Sequence, residues 1–197
     1  MSKSDPAASR KERNKTIRWV VTIFVITIFV SGTISLVSDI IMESSTILVA
    51  FLILLAIVLI GIIFDVIGVA VTSADEKPFH SMSARKVPGG QEAIRLLRNA
   101  ERVSSICNDV VGDICGVVSG SASATIAVQV LQNFEFAWPQ MMSLLMSALV
   151  AGLTVGGKAV GKTFAINSCT QIVAGVGRTI YFFGHIGDLF NRKNTNS

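Results

Sequence analysis

Four apolar runs, each long enough to cross a membrane, limit what this 197-residue chain can fold into. A helix needs about 20 apolar residues to cross about 30 Å of hydrocarbon. The runs that meet this length cover approximately residues 16–42, 46–73, 103–131 and 138–162. Only 15% of the residues are charged, whereas a soluble domain carries about 25%. We therefore predict an all-α membrane protein with four transmembrane helices.

The polar stretches around these runs are too short to build a core of their own. Residues 1–15 are predicted to form a disordered basic arm. The run 16–42 is predicted to be an extra, uncleaved N-terminal transmembrane helix, because it is too long for the core of a signal peptide. The loop 75–102 and the tail 164–190 are predicted to form cytoplasmic juxtamembrane helices. Within the loop, residues 91–102 have the spacing of one basic amphipathic helix, and a membrane-surface helix or an ordinary solvated helix fits them equally well.

All 17 Lys and Arg residues fall on one side of a four-span arrangement. They cluster in the N-terminal arm, in the middle loop and from the end of the fourth run onward. Because cytoplasmic loops of membrane proteins carry an excess of Lys and Arg, we predict a protein of the cell membrane with both termini in the cytoplasm. The same clusters would meet anionic lipid headgroups. The net charge of +4 therefore indicates a lipid bilayer and not nucleic acid as the partner.

The aspartates that draw attention inside the membrane-length runs are Asp65, Asp109 and Asp113. Carboxylates are costly in hydrocarbon, and those that occur there usually line a polar pathway or face a partner group. Asp109 and Asp113 are four residues apart and share a helix face. Asp65 is expected at a depth similar to that of Asp109, and Asn108 adds an amide oxygen. Hard cations such as Mg²⁺ prefer oxygen ligands, so these four residues form a predicted metal site.

Lys158 is a further charge inside a membrane-length run. It could neutralise an aspartate in a fixed ion pair, which would make the polar residues structural, or it could be a gating charge beside an ion. Residues 156–163 match the phosphate-loop pattern GxxxxGK[ST], but that loop follows a buried strand and needs an acidic residue for magnesium. We predict a glycine-rich helix end there. No nucleophile, base and orienting group can be placed together, so no enzymatic activity is predicted.

Small residues recur every four positions in the third run, a spacing that lets a second helix approach closely. The stripe consists of Gly112, Gly116, Gly120 and Ala124. The fourth run repeats the spacing at residues 152 and 156 and at 157 and 161. Such stripes serve packing within one bundle or between two copies, and we predict a homodimer.

Three short stretches follow one another in an order that suggests a family. Residues 64–73 read FDVIGVAVTS, residues 101–105 read ERVSS, and residues 157–165 read GKAVGKTFA. They resemble, in that order, the F-S-x-S-E-x-A-L-x-S, E/D-R-x-x-S and G-E-x-x-P-K-T-x-A patterns of CNNM/CorC-type magnesium transporters. By arrangement more than by identity, residues 46–193 resemble the transmembrane domain of that family, and 16–42 would be an additional helix.

The resemblance implies a transporter for a divalent cation, Mg²⁺ or Co²⁺, which family members bind through a serine, an asparagine and a glutamate. Asp65 stands at the serine position and Lys158 at the glutamate position. Asn108 or Asp109 matches the asparagine after a shift of about one helical turn. The family's cytoplasmic regulatory domains are missing from this sequence, so a separate chain could supply them. The alternative is a non-transporting membrane scaffold or regulatory partner with a degenerate ion site.

Overall fold

The computed structural model describes residues 6–43, 45–133 and 139–193, with side chains for 17–42, 45–133 and 140–185. All of the regular structure in these ranges is helical. In chain order the elements are α1 (Pro6–Glu43), α2 (Ile47–Ser73), α3 (Lys77–Ala84), α4 (Gly90–Arg98), α5 (Ala100–Ser105), a π-helical segment (Ile106–Gly112), α6 (Asp113–Asn133), α7 (Pro139–Asn167) and α8 (Cys169–Lys193).

Four stretches of helix are long and apolar enough to cross a membrane, which confirms the predicted all-α membrane protein. They are Ile17–Met42, Ile47–Ser73, Ala100–Asn133 and Gln140–Asn167. The third stretch runs without a gap through α5, the π-helical segment and α6. Because every helix satisfies its own backbone hydrogen bonds, each of these stretches can lie in hydrocarbon.

Helix α2 is the centre of the bundle and contacts α5, α6, α7, α8 and the π-helical segment. Near the α1–α2 connection its buried residues Leu54 and Val58 pack with Ile126 and Met146. At its other end the core continues into the short helices, where α3, α4 and α8 pack around Phe79. Between spans in lipid, van der Waals packing supplies the attraction, because the lipid tails are as apolar as the side chains.

Helix α1 lies at the edge of the bundle and packs mainly on α6. The Arg102 guanidinium lies 5.8 Å from the centre of the Trp19 ring near one end of this contact. Near the other end, the Gln129 amide donates a hydrogen bond of 2.7 Å to the carbonyl oxygen of Met42. The early part of α1 thus lies beside the start of the α5–α6 span, and the end of α1 lies beside the end of that span. The two therefore run parallel.

The N-terminal stretch differs from the predicted disordered arm 1–15, because α1 already begins at Pro6. Proline is favoured in the first turn of a helix. The residues that follow include Ala7, Ala8 and Glu12, which are strong helix formers. The polar residues ahead of the first span therefore extend its helix, and residues 1–5 lie outside the described residues.

The predicted helix 91–102 is broken at Asn99, which separates α4 from α5. The Asn99 side-chain amide donates a hydrogen bond of 2.9 Å to the carbonyl oxygen of Arg95. Asparagine competes in this way with the helical hydrogen bonds of the backbone. The residue has φ −114° and ψ 26°, which lies outside the helical region. As a result α5 joins the third span, while α4 belongs to the layer of short helices.

Helices α4 and α8 are in close backbone contact at two glycines. Gly89, at the start of α4, has φ +89°, a left-handed conformation that favours glycine. A Cβ atom added to Gly177 of α8 would lie 2.6 Å from the carbonyl oxygen of Gly89. No side chain fits between them, so α8 lies directly against α4.

Candidate functional site

Helix α2 presents Gly61, Asp65 and Gly68 on one face, and all three are buried. A Cβ atom at Gly61 would lie 2.8 Å from the Cβ of Cys115. A Cβ atom at Gly68 would overlap the side-chain amide of Asn108. The two glycines thus bring α2 against the third span on either side of Asp65. We call this contact, from Gly61 to Gly68 of α2 against residues 108–115, the Asp65 seam.

Asp65 lies inside this seam with only 4% of its surface exposed. Asn108 faces α2 from the opposite side and donates from its Nδ2 to the Ser104 hydroxyl at 3.2 Å. In the part of the chain that the structure describes, Asp65 Oδ2 and Asn108 Oδ1 are buried without a hydrogen-bond partner. A buried acceptor without a donor costs about 1–3 kcal/mol. Two such acceptors within one helix contact therefore mark a place that lacks a positive or donating group.

The π-helical segment coincides with this site, because it spans Ile106–Gly112 and contains Asn108. π-helices are rare and are often found at functional sites. Their wider turn changes the direction of each side chain relative to an α-helix. Asn108 points into the seam, and the side chain of its neighbour Asp109 is exposed. Asn108 therefore occupies the position opposite α2 that the sequence suggested for Asp109.

The structure brings together two of the four predicted metal ligands, Asp65 and Asn108. Asp109 accepts a hydrogen bond of 2.9 Å from the Ser105 hydroxyl on the exposed side of the span. Asp113 is 72% exposed. Among the described residues, no group of three or more His, Cys, Asp or Glu side chains is placed to hold a metal ion. A site in the seam would therefore rely on one carboxylate, one amide and additional ligands such as water.

Lys158 of α7 reaches the third span beside the seam. Its ammonium group donates a hydrogen bond of 3.3 Å to the carbonyl oxygen of Gly112. It lies 3.9 Å from the Asp113 carboxylate, and its side chain is 21% exposed. A Cβ atom on Gly112 would approach the ammonium nitrogen to 3.4 Å, so this glycine makes room for the lysine. Lys158 thus partners Asp113, and among the side chains that the structure describes Asp65 has no ion-pair partner.

The glycine-rich stretch 156–163 lies entirely inside α7. Its backbone N–H groups belong to a helix that continues to Asn167, so they cannot cradle a phosphate as a phosphate loop does. The sequence predicted a glycine-rich helix end here, and the structure places these residues in the helix but continues it to Asn167. Gly157 and Gly161 instead let α7 approach Ile62 and Val66 of α2 closely.

A fourth intramembrane carboxylate, Asp39 of α1, was missed by the sequence reasoning. The Ser121 hydroxyl of α6 donates to its two oxygens at 3.4 and 3.5 Å. Ser31, Ser35 and buried Ser38 precede it along the side of α1 that is least exposed. This spacing of small polar residues, together with an aspartate inside an apolar run, was the signal that could have identified a second polar helix contact.

The helices and the Asp65 seam together define an all-α membrane protein, and in the described part of its bundle one oxygen of the buried Asp65 carboxylate has no hydrogen-bond partner. No family model, no curated protein and no solved structure matches this chain.

Proposed function

We propose that this chain binds a divalent cation, Mg²⁺ or Co²⁺, inside the membrane and transports it, as a divergent CNNM/CorC-type transmembrane domain. The observation that carries the proposal is the pair of buried oxygens without donors, Asp65 Oδ2 and Asn108 Oδ1. Buried polar atoms in native proteins almost always have a partner. Mg²⁺ takes oxygen ligands and usually keeps several waters. A partly hydrated ion would therefore satisfy both oxygens with only two protein ligands.

The two exposed carboxylates would serve the same ion at an earlier stage of its passage. Asp109 and Asp113 lie on the span that carries Asn108, four residues apart along the chain. Their negative charge would raise the local concentration of cations beside the seam. Lys158, which lies 3.9 Å from Asp113, would reduce that charge and act as a tuning or gating group.

The proposed oligomeric state rests on a surface of α6 that the bundle leaves open. Gly116, Gly120 and Ala124 lie on one side of α6, and nothing lies within 4 Å of a Cβ atom added to either glycine. A second copy could pack closely there, so we include a homodimer in the proposal. The distribution of Lys and Arg supports cytoplasmic termini in a cell membrane. A separate cytoplasmic chain could provide regulation.

Purified protein in detergent is expected to be stabilised by Mg²⁺ or Co²⁺ and not by Na⁺ at equal ionic strength. A ligand at 100 times its dissociation constant stabilises the folded state by about 2.7 kcal/mol, which corresponds to a rise of roughly 5–10 °C in Tm for a chain of this size. The measurement is a melting series against Mg²⁺, Mn²⁺, Co²⁺ and Na⁺. Equal melting temperatures in all four salts would contradict the cation site, and would mean that water or a proton satisfies the seam.

One observation favours the alternative, a non-transporting scaffold or regulatory partner with a degenerate ion site. Lys158 already joins α7 to α6 through the Gly112 carbonyl and the Asp113 carboxylate without any ion. If the polar residues inside the membrane serve to form this ion pair, loss of the pair should lower the free energy of unfolding. A hydrogen bond that involves a charged group contributes about 1.5–3 kcal/mol.

The substitution Lys158→Met separates the two functions. Under the transport proposal it removes a positive charge near the seam, so we expect Mg²⁺ to bind roughly tenfold more tightly. Under the scaffold alternative the ion-free Lys158→Met variant melts at a lower temperature than the unsubstituted protein, and Mg²⁺ raises the melting temperature of neither. Melting curves with and without Mg²⁺, recorded for the variant and the unsubstituted protein, distinguish these outcomes.

A further inference from the structure

An apolar groove of about 900 Å³ lies between α2, α7 and α8, beside the Asp65 seam, and its lining includes neither Asp65 nor Asn108. Side chains such as Val66, Phe164, Ile172 and Val176 line it. The hydroxyl of Thr179, which also lines the groove, already donates a hydrogen bond of 3.0 Å to the carbonyl oxygen of Gly175. The groove therefore offers almost no hydrogen-bonding group to an occupant. A peptide backbone would lose its hydrogen bonds with water there, so the groove fits a hydrocarbon chain.

Three glycines give the groove its shape. Gly157 and Gly161 bring α7 close to α2 along one side, where an added Cβ atom would meet Ile62 or Val66. Gly175 of α8 lines the opposite side, and a Cβ atom added there would meet nothing within 4 Å. The open space in front of Gly175 is the part of the groove that a larger side chain would fill.

The rim of the groove is basic. Lys162 directly follows Gly161, and Arg178 directly precedes Thr179, and both basic side chains are exposed. Arg95 adjoins a further lining residue, Leu96, and is also exposed, whereas Arg102, which adjoins Val103, lies over the Trp19 ring of α1. Glu101 is the acidic residue next to this group. Positively charged residues of α7 and α8 therefore lie next to lining residues of the apolar groove. The groove lies at the end of the bundle where the amphipathic helices pack.

We propose that this groove binds one anionic phospholipid of the surrounding bilayer. One acyl chain lies in the groove along Gly175, and the phosphate interacts with Lys162 and Arg178. Its volume lies within the usual 300–1,000 Å³ range of ligand pockets. Basic pockets between transmembrane helices bind anionic headgroups in the same way. This lipid site uses none of the residues of the cation site and does not depend on the proposed transport.

Native mass spectrometry of the protein from nanodiscs of phosphatidylglycerol or phosphatidylcholine tests the site. We expect one retained phosphatidylglycerol and much less phosphatidylcholine. Gly175→Leu, which fills the groove, should weaken retention at least tenfold. Gly152→Leu is the matched control, because it adds the same side chain to another open helix position outside the groove. It should retain lipid as the unsubstituted protein does.

A second variant tests the headgroup contact without touching the groove. Lys162→Gln combined with Arg178→Gln changes only exposed side chains and should remove the preference for phosphatidylglycerol over phosphatidylcholine. Full retention by Gly175→Leu, or equal retention of the two lipids by the unsubstituted protein, would overturn the proposal. Retention of detergent in place of phospholipid would overturn it as well. If Gly175→Leu does not fold, the charge variant alone decides the outcome.

Discussion

Replacing Asp65 with asparagine is expected to lower Mg²⁺ flux into proteoliposomes roughly tenfold or more, since every 1.4 kcal/mol of lost binding is a factor of ten. The substitution keeps the shape of the side chain and removes the buried carboxylate of the Asp65 seam. It also introduces an N–H donor into the seam, where Asn108 Oδ1 is buried without a hydrogen-bond partner among the described residues. The ion-free variant should therefore be more stable by about 1–3 kcal/mol. Lost flux together with a raised melting temperature cannot result from misfolding.

The control for this experiment is Asp39→Asn. Asp39 is also an intramembrane carboxylate, but its oxygens already accept from the Ser121 hydroxyl at 3.4 and 3.5 Å. The same chemical change at this position should leave Mg²⁺ flux near that of the unsubstituted protein. If Asp65→Asn transports as well as Asp39→Asn does, the seam does not conduct the ion.

Replacing Gly68 with alanine is expected to abolish stabilisation by Mg²⁺, because the new methyl group would occupy the place of the Asn108 amide. Asn108 must then leave the seam and give up its 3.2 Å hydrogen bond to Ser104. Overpacking of this kind costs typically 1–3 kcal/mol. The melting temperature should fall in ion-free buffer, and addition of Mg²⁺ should no longer raise it.

Gly32→Ala is the control, since Gly32 also lies inside a membrane-length helix and nothing lies within 4 Å of an added Cβ atom. Alanine is favoured over glycine inside a helix by about 1 kcal/mol. This variant should be at least as stable as the unsubstituted protein and should respond normally to Mg²⁺. A normal response from Gly68→Ala would show that Asn108 is not a ligand.

The spans could be predicted from the sequence because hydropathy and length decide them almost alone. The predicted run 46–73 corresponds to α2 at Ile47–Ser73, and the predicted run 103–131 lies within Ala100–Asn133. The break at Asn99 was not predicted, because the apolar spacing of 91–102 continues across it. A single side-chain hydrogen bond to the Arg95 carbonyl outweighed that periodicity.

The residues of the candidate site were harder to predict from the sequence than the membrane-length helices. Helical spacing predicted one shared face for Asp109 and Asp113, but that argument assumed an α-helix where the chain forms a π-helix at Ile106–Gly112. The choice between Asn108 and Asp109 as the residue facing α2 depends on this local change of turn. The glycine contacts on either side of Asp65 depend on how two helices pack together. This packing cannot be predicted from the sequence of one helix alone.

The contact between Gly89 and Gly177 has a mechanical consequence. Because two backbones touch there without intervening side chains, α8 cannot shift sideways without carrying α4 along. The short helix α4 ends at Arg98, and Asn99 is the joint through which it connects to the span that holds Asn108. A displacement of α8 would therefore pass through α4 and Asn99 to the span that holds Asn108.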